Sequence, residues 1–263
     1  MSTPKRPFAL QFAHYMNTAP GIENALRLLQ AVCQLVVAWK PVGNKEAWRW
    51  KGVGNQFALG RRYFRYFQFI TYFGNAWDTL IGQIETINRR GRTAVAIEVC
   101  SLSSYGCYLW LEAFTIPDSL GFHSTKWSRM ALIEANKFWF YALLFSIIGN
   151  IWQLFQLYLE PNERQSRGPT RQPTNKYPKP KSKRSNGSTA NGSAKTKPQS
   201  QAHKAGYPYS TLVRNLTIHG CDLLIPGTIV GWIEVSPVLV NSAMILSTVL
   251  VGRDRWTKTQ QNI

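Results

Sequence analysis

Acidic residues are scarce in this chain of 263 residues: thirteen Asp and Glu stand against thirty-one Lys and Arg, a formal net charge of +18. Such an excess calls for an anionic partner, nucleic acid or a lipid surface. Cysteine is scarce too. Cys33, Cys100, Cys107 and Cys221 form no Cys-x-x-Cys pair and have no nearby His pair, which excludes a sequence-encoded zinc site and a disulfide framework and leaves reduced thiols. His14, His123, His203 and His219 lack local metal partners, and there is no Gly-rich phosphate loop and no Gly-x-Ser-x-Gly elbow. No catalytic residue, cofactor or metal is therefore assigned, and the chain reads as a non-enzyme. The N-terminus has no apolar run of the secretory kind and the C-terminus is not a matrix-import tripeptide, so a membrane address is expected to be internal.

Aromatic residues are abundant: 13% of the chain, ten of them Trp. Trp and Tyr concentrate where an apolar medium meets a wet one, which favours a lipid surface over nucleic acid as the anionic partner. The densest stretch runs from Ala58 to Phe73. Wound as a helix, it sets Arg61, Arg62, Arg65 and Gln68 on one arc and Leu59, Tyr63, Tyr66, Phe67, Ile70 and Phe73 on the other, with Phe69 intruding on the basic side. A helix of this kind can lie in a bilayer interface with rings toward the acyl chains and guanidinium groups toward phosphates. The same pattern fits a surface helix whose aromatic face enters a protein core, and the stretch alone leaves both open.

Elsewhere the pattern is also helical, and the fold class is all-α. Ile22, Leu26, Leu29, Cys33 and Val36 predict an amphipathic helix between Pro20 and Pro41. The glycines and proline of 41–54 predict a loop carrying Trp48 and Trp50. The Ala58 helix is expected to continue through Trp77, Ile81 and Ile84 to Arg89-Arg90-Gly91. Ala94 to Ile116 is apolar, but Glu98 and Glu112 leave only thirteen uncharged residues between them, short for a membrane span. Pro117 ends that helix, and a connector with Lys126, Arg129 and Lys137 is expected next. Phe138 to Leu159 is uncharged for twenty-two residues, roughly 33 Å as a helix against about 30 Å of hydrocarbon. Its polar stripe, Asn150, Gln153 and Gln156, calls for helix packing or an interfacial position.

The stretch 161–207 is rich in Pro, Ser, Asn, Gly, Gln and Lys and nearly empty of large aliphatic residues, so it cannot bury enough surface to fold. Its eleven Lys and Arg against Glu163 give +10, which reads either as the polybasic mark of a cytosolic segment beside a membrane or as a solvated linker kept soluble by its charge. It divides the chain into amphipathic and hydrophobic N-terminal helices, 1–160, and a hydrophobic C-terminal segment, 208–263. In the latter, Leu212, Leu216, His219 and Leu223 predict a helix interrupted at Pro226-Gly227; Val235 to Gly252 is an uncharged run flanked by Arg253, Arg255 and Trp256. Asp222 and Glu234 are the acids to watch in these apolar surroundings.

Cys221-Asp222-Leu223-Leu224-Ile225-Pro226, then Gly231-Trp232 and an apolar run closing at Trp256, resembles the C-terminal signature of the peroxisomal biogenesis factor 11 family. Arg27-Leu28-Leu29-Gln30 leading into Cys33, and Arg61-Arg62-Tyr63-Phe64-Arg65, resemble that family's first helix and its membrane-active amphipathic helix. The resemblance implies a helical protein of the peroxisomal membrane that elongates the membrane before fission. It maps the remodelling helix onto Arg61, Arg62 and Arg65, with Tyr63, Tyr66, Phe67, Ile70 and Phe73 as the inserting residues. Anionic membrane lipids, further copies of the chain and the fission machinery are the expected partners; nucleic acid is not expected. The competing reading is a solute channel lined by Asn150, Gln153 and Gln156.

Overall fold

The computed structural model describes residues 7–40, 43, 45–82, 91–121, 127–166 and 209–261. Every regular element among them is a helix: α1 Phe8–Met16, α2 Ala19–Trp39, α3 Lys45–Arg65, α4 Gln68–Gly82, α5 Arg92–Phe114, α6 Ile116–Ser119, α7 Ser128–Ser166, α8 Tyr209–Val230 and α9 Pro237–Gln261. The linker read at 161–207 lies outside the described residues except that the backbone of α7 continues to Ser166.

Local chemistry sets the boundaries. Thr18 caps α2 by accepting from the amide of Gly21 at 3.1 Å, and Pro20 sits in the first turn, where no intrahelical donor is needed. The loop expected at 41–54 is instead mostly helix, from Lys45. Gly54 lies where α3 crosses α2, and a Cβ there would stand 3.2 Å from that of Cys33; the glycine permits close helix approach rather than a turn. Arg129 and Lys137, expected in a connector, belong to α7.

Pro226 does not interrupt α8. Its missing amide leaves the Asp222 carbonyl without its usual intrahelical donor, yet the helix continues to Val230. It ends at Gly231, whose φ of +81° suits glycine; Trp232 N–H donates to Gly227 O at 2.9 Å and Gly231 N–H to Thr228 O at 3.3 Å, the paired pattern of a Schellman cap.

The helices pack in a closed sequence: α3 on α2, α2 on α9, α9 on α8, α8 on α7, α7 on α5, and α5 on α4, which adjoins α3 along the chain. The N-terminal and C-terminal pieces thus share one bundle. α1 closes on α9, where Phe8 and Tyr15 pack against Trp256 at ring-centroid distances of 5.8 and 5.3 Å. α5 and α7 form an antiparallel hairpin. Ser101 meets Ser146 at 2.8 Å and donates to Ala142 O at 3.1 Å, Tyr108 stacks on Trp139 at 5.1 Å, and Gly149 admits Ile97. Both helices are long and apolar enough to cross a membrane, over Arg92–Phe114 and Ser128–Leu159. Glu112 does not disqualify the first of these, because it is paired inside the bundle.

Candidate membrane-facing site

The Ala58–Phe73 stretch is two helices rather than one. The chain turns at Tyr66–Phe67, with Tyr66 N–H on Tyr63 O at 3.3 Å and Ile70 N–H on Phe67 O at 3.2 Å. No glycine or proline marks the turn. Its cause is tertiary: α3 lies along α2 whereas α4 lies along α5, and the chain bends to move from one partner to the other.

Separation of the two arcs is as the periodicity predicts, but their orientation is inverted relative to a soluble helix. The basic arc faces inward: Arg61 and Arg65 are 8% and 6% exposed. The aromatic arc faces outward, with Tyr63, Tyr66, Phe67, Ile70 and Phe73 all exposed, Phe67 at 68%. Trp77, Leu80 and Ile81 extend this apolar surface along α4. The exposure of Tyr63, Tyr66 and Phe67 leaves these rings outside the core of the bundle, and an apolar surface of this extent is a mark of an interaction face.

Burial of the arginines is made tolerable by acids from other helices. Arg65 Nη2 donates to both carboxylate oxygens of Glu112, at 3.0 and 2.8 Å, and to the Tyr108 hydroxyl at 3.3 Å, while Tyr108 donates to Glu112 at 3.0 Å. Burial works against the charge on Arg65, and Glu112, with Tyr108, outweighs it, holding the guanidinium well above its usual range. Arg61 donates to Gln30 Oε1 at 2.7 Å, a neutral partner; burial, with Arg65 and Arg27 nearby, pushes it down to about 10. Arg62 is partly exposed, donates to Ser119 Oγ at 3.1 Å and approaches Glu112 at 3.6 Å.

The network continues through α2 to the C-terminal helices. Glu23 stands between Arg65 at 3.9 Å and Arg255 at 3.5 Å, and Arg27 donates to Asp222 and, at 3.3 Å, to Ser247. Five helices therefore contribute to one buried ionic seam. Glu23, Arg27, Glu112 and Asp222 were not among the site residues expected from sequence. The signal for two of them was present: a carboxylate in an otherwise apolar helix requires a buried partner, and Glu112 and Asp222 are such carboxylates. Glu234, by contrast, is exposed in the connector between α8 and α9.

Phe73 is half turned inward, its ring against Gly106 of α5, where an added Cβ would lie 2.8 Å from Phe73 Cε1. The stripe Asn150, Gln153 and Gln156 does not gather on one path. Asn150 is buried and donates to Ser146 O of its own helix at 2.8 Å, while Gln153 and Gln156 are exposed. Among the described residues no group of three or more His, Cys, Asp or Glu is placed to hold a metal ion.

A model of the family described as peroxisomal biogenesis factor 11 (PEX11) matches residues 10–256, nearly the whole chain. No curated protein and no solved structure gives a match.

Proposed function

This chain belongs to the peroxisomal biogenesis factor 11 family, a family of membrane-associated factors of peroxisome biogenesis and proliferation, and from that premise we propose that it remodels the peroxisomal membrane with the turn between α3 and α4. Tyr63, Tyr66, Phe67 and Ile70 seat in one leaflet, with Phe73 bridging that leaflet and α5. The observation that carries this reading is the inverted amphipathy of the stretch, with rings outward and arginines inward.

Aromatic side chains inserted to the depth of the headgroup and acyl boundary expand one leaflet relative to the other and favour positive curvature when many copies gather. The α5–α7 hairpin anchors the bundle. Arg61 and Arg65 then act as positioning residues: their bonds to Gln30 and Glu112 fix the turn against α2 and α5, so that the rings present a rigid wedge. Arg62, at the rim, is the member of the trio placed to meet lipid phosphate. Elongation by this route prepares the membrane for fission, with anionic lipids, further copies of the chain and the fission machinery as partners.

The test is tubulation of anionic vesicles by the reconstituted full chain and by a Phe67→Glu, Ile70→Glu variant. Tubules with the wild type and smooth vesicles with the variant support the reading. Equal tubulation by both refutes it.

A further inference from the structure

With Arg61 and Arg65 buried, only Arg62 of the three arginines expected to meet anionic lipid reaches the rim. Helix α3 nevertheless carries six cations against one acid. The other three cations, Lys45, Arg49 and Lys51, lie in its first two turns and are all exposed. We propose that the first half of α3 is a second membrane contact: Trp48 seats at headgroup level, and Lys45, Arg49 and Lys51 bind the phosphates and carboxylates of an anionic phospholipid surface. The inference rests on the membrane reading above for the side of α3 that meets lipid.

Three observations carry it. The first is a shared face. Gly54, Arg61 and Arg65 mark the buried side of α3. At roughly 100° per residue, Lys45, Gly52 and Tyr63 point away from that side, with Trp48 and Tyr66 about 60° to one flank and Arg49 about 40° to the other. Trp48 therefore stands about 22 Å along the axis from Tyr63, on the same surface as the rings of the turn. A flat layer that receives those rings also meets Trp48. The second observation is the indole itself. Trp48 is 67% exposed, and the Lys51 ammonium lies over its ring at 5.1 Å from the centroid. An exposed indole beside a cation suits the boundary where apolar chains meet phosphates.

The third observation is charge complementarity. Between Leu35 and Phe57 the one acid is Glu46, and it pairs with Lys40. Lys45, Arg49 and Lys51 thus present a positive surface around Trp48, the complement of an anionic leaflet. The same charges keep this half of α3 at headgroup depth, since they cannot enter hydrocarbon cheaply. Docked at both ends, α3 lies along the membrane and holds the turn at a fixed depth. Each Lys or Arg close to an anionic surface strengthens docking about fivefold, so the three together contribute about a hundredfold.

The experiment places an environment-sensitive nitrobenzoxadiazole fluorophore on Gly52→Cys, where an added side chain meets nothing within 4 Å. The full chain carries Cys33→Ala, Cys100→Ala, Cys107→Ala and Cys221→Ala, and is reconstituted in vesicles of phosphatidylcholine or of equal parts phosphatidylcholine and phosphatidylserine. Emission is expected to rise and shift to the blue with phosphatidylserine, and to fall back at high salt. Lys45→Gln, Arg49→Gln and Lys51→Gln together should remove that response, whereas Lys258→Gln, at an exposed cation near the far end of α9, should leave it. Equal emission in the two vesicles, or a response that survives the triple substitution, overturns the proposal. So does a response to a soluble oligonucleotide in phosphatidylcholine vesicles that matches or exceeds that to phosphatidylserine, which would assign the patch to nucleic acid. Should the cysteine-free chain fail to fold, trypsin decides with the wild type. Cleavage after Lys45, Arg49 and Lys51 is expected to slow with phosphatidylserine relative to cleavage after Lys258; equal slowing at all four overturns the proposal. No phosphatidylserine response with intact tubulation would remove this inference alone. A full response with equal tubulation by wild type and the Phe67→Glu, Ile70→Glu variant would remove the remodelling reading alone.

Discussion

The Arg27 guanidinium donates to the Asp222 carboxylate, joining α2 to α8 across 195 residues of chain. Both side chains are largely buried, at 13% and 9% exposure, and Ser247 of α9 shares the guanidinium. The bond makes the C-terminal signature part of the same bundle as the α3–α4 turn. Removing one partner leaves the other as a lone buried charge, which costs about 3–5 kcal/mol. Asp222→Asn and Arg27→Gln are each expected to lower the midpoint of thermal unfolding in detergent. The double variant should lose less than the sum of the two, because it buries no unpaired charge. Additive losses would show that the pair is not coupled.

Arg65 and Glu112 make the corresponding link between α3 and α5. Charge reversal at Arg65 sets a carboxylate against Glu112 and Glu23, so Arg65→Glu is expected to prevent stable folding rather than merely to weaken lipid binding. Circular dichroism and size-exclusion behaviour in detergent check this. A folded Arg65→Glu variant that had lost only its affinity for anionic vesicles would place Arg65 at the lipid surface instead.

Gly106 and Phe73 give a prediction about packing. Gly106→Val adds a branched side chain where Phe73 already stands within 2.8 Å of an ideal Cβ. The ring must move, and overpacking of this kind costs about 1–3 kcal/mol. The variant should unfold at lower temperature, and Gly106→Val combined with Phe73→Ala should recover part of the loss. No recovery would locate the strain elsewhere.

The all-α class was legible because helical periodicity is a local property: Ile22 to Val36 and Phe138 to Leu159 lie in helices as their spacing requires. Separation of Arg61 and Arg65 from Tyr63, Phe67 and Ile70 was legible for the same reason. Which arc faces inward was not, because it depends on Glu112, a residue of another helix. The turn at Tyr66–Phe67 was equally hidden, since it arises from a change of packing partner and not from a breaker residue. Gly52, Gly54 and Pro226 misled in the opposite direction. Each reads locally as a break, yet α3 uses Gly54 for close approach to Cys33, and α8 continues through Pro226 to Val230.

His219 supplies a pH dependence. Burial holds its imidazole below the ordinary value of 6.5, with Asp222 opposing in part. The unfolded chain therefore takes up this proton more readily than the folded one, and acidification favours unfolding. The contribution is absent above pH 6.5, grows as the pH falls through 6.5, and stops growing below the folded value. His219→Gln should flatten this part of the stability profile, measured as unfolding midpoint against pH. An unchanged profile would assign the dependence to other groups.

The central claim is that the outward rings of the α3–α4 turn bend the membrane, and the most direct measurement is the shape of peroxisomes in cells that overexpress the full chain, wild type or Phe67→Glu, Ile70→Glu. Both residues are exposed, so the variant is expected to fold and to reach the peroxisomal membrane. The account predicts tubular peroxisomes with the wild type and rounded ones, ringed by the tagged variant, with the substitution. Tubules of equal length under both would contradict it.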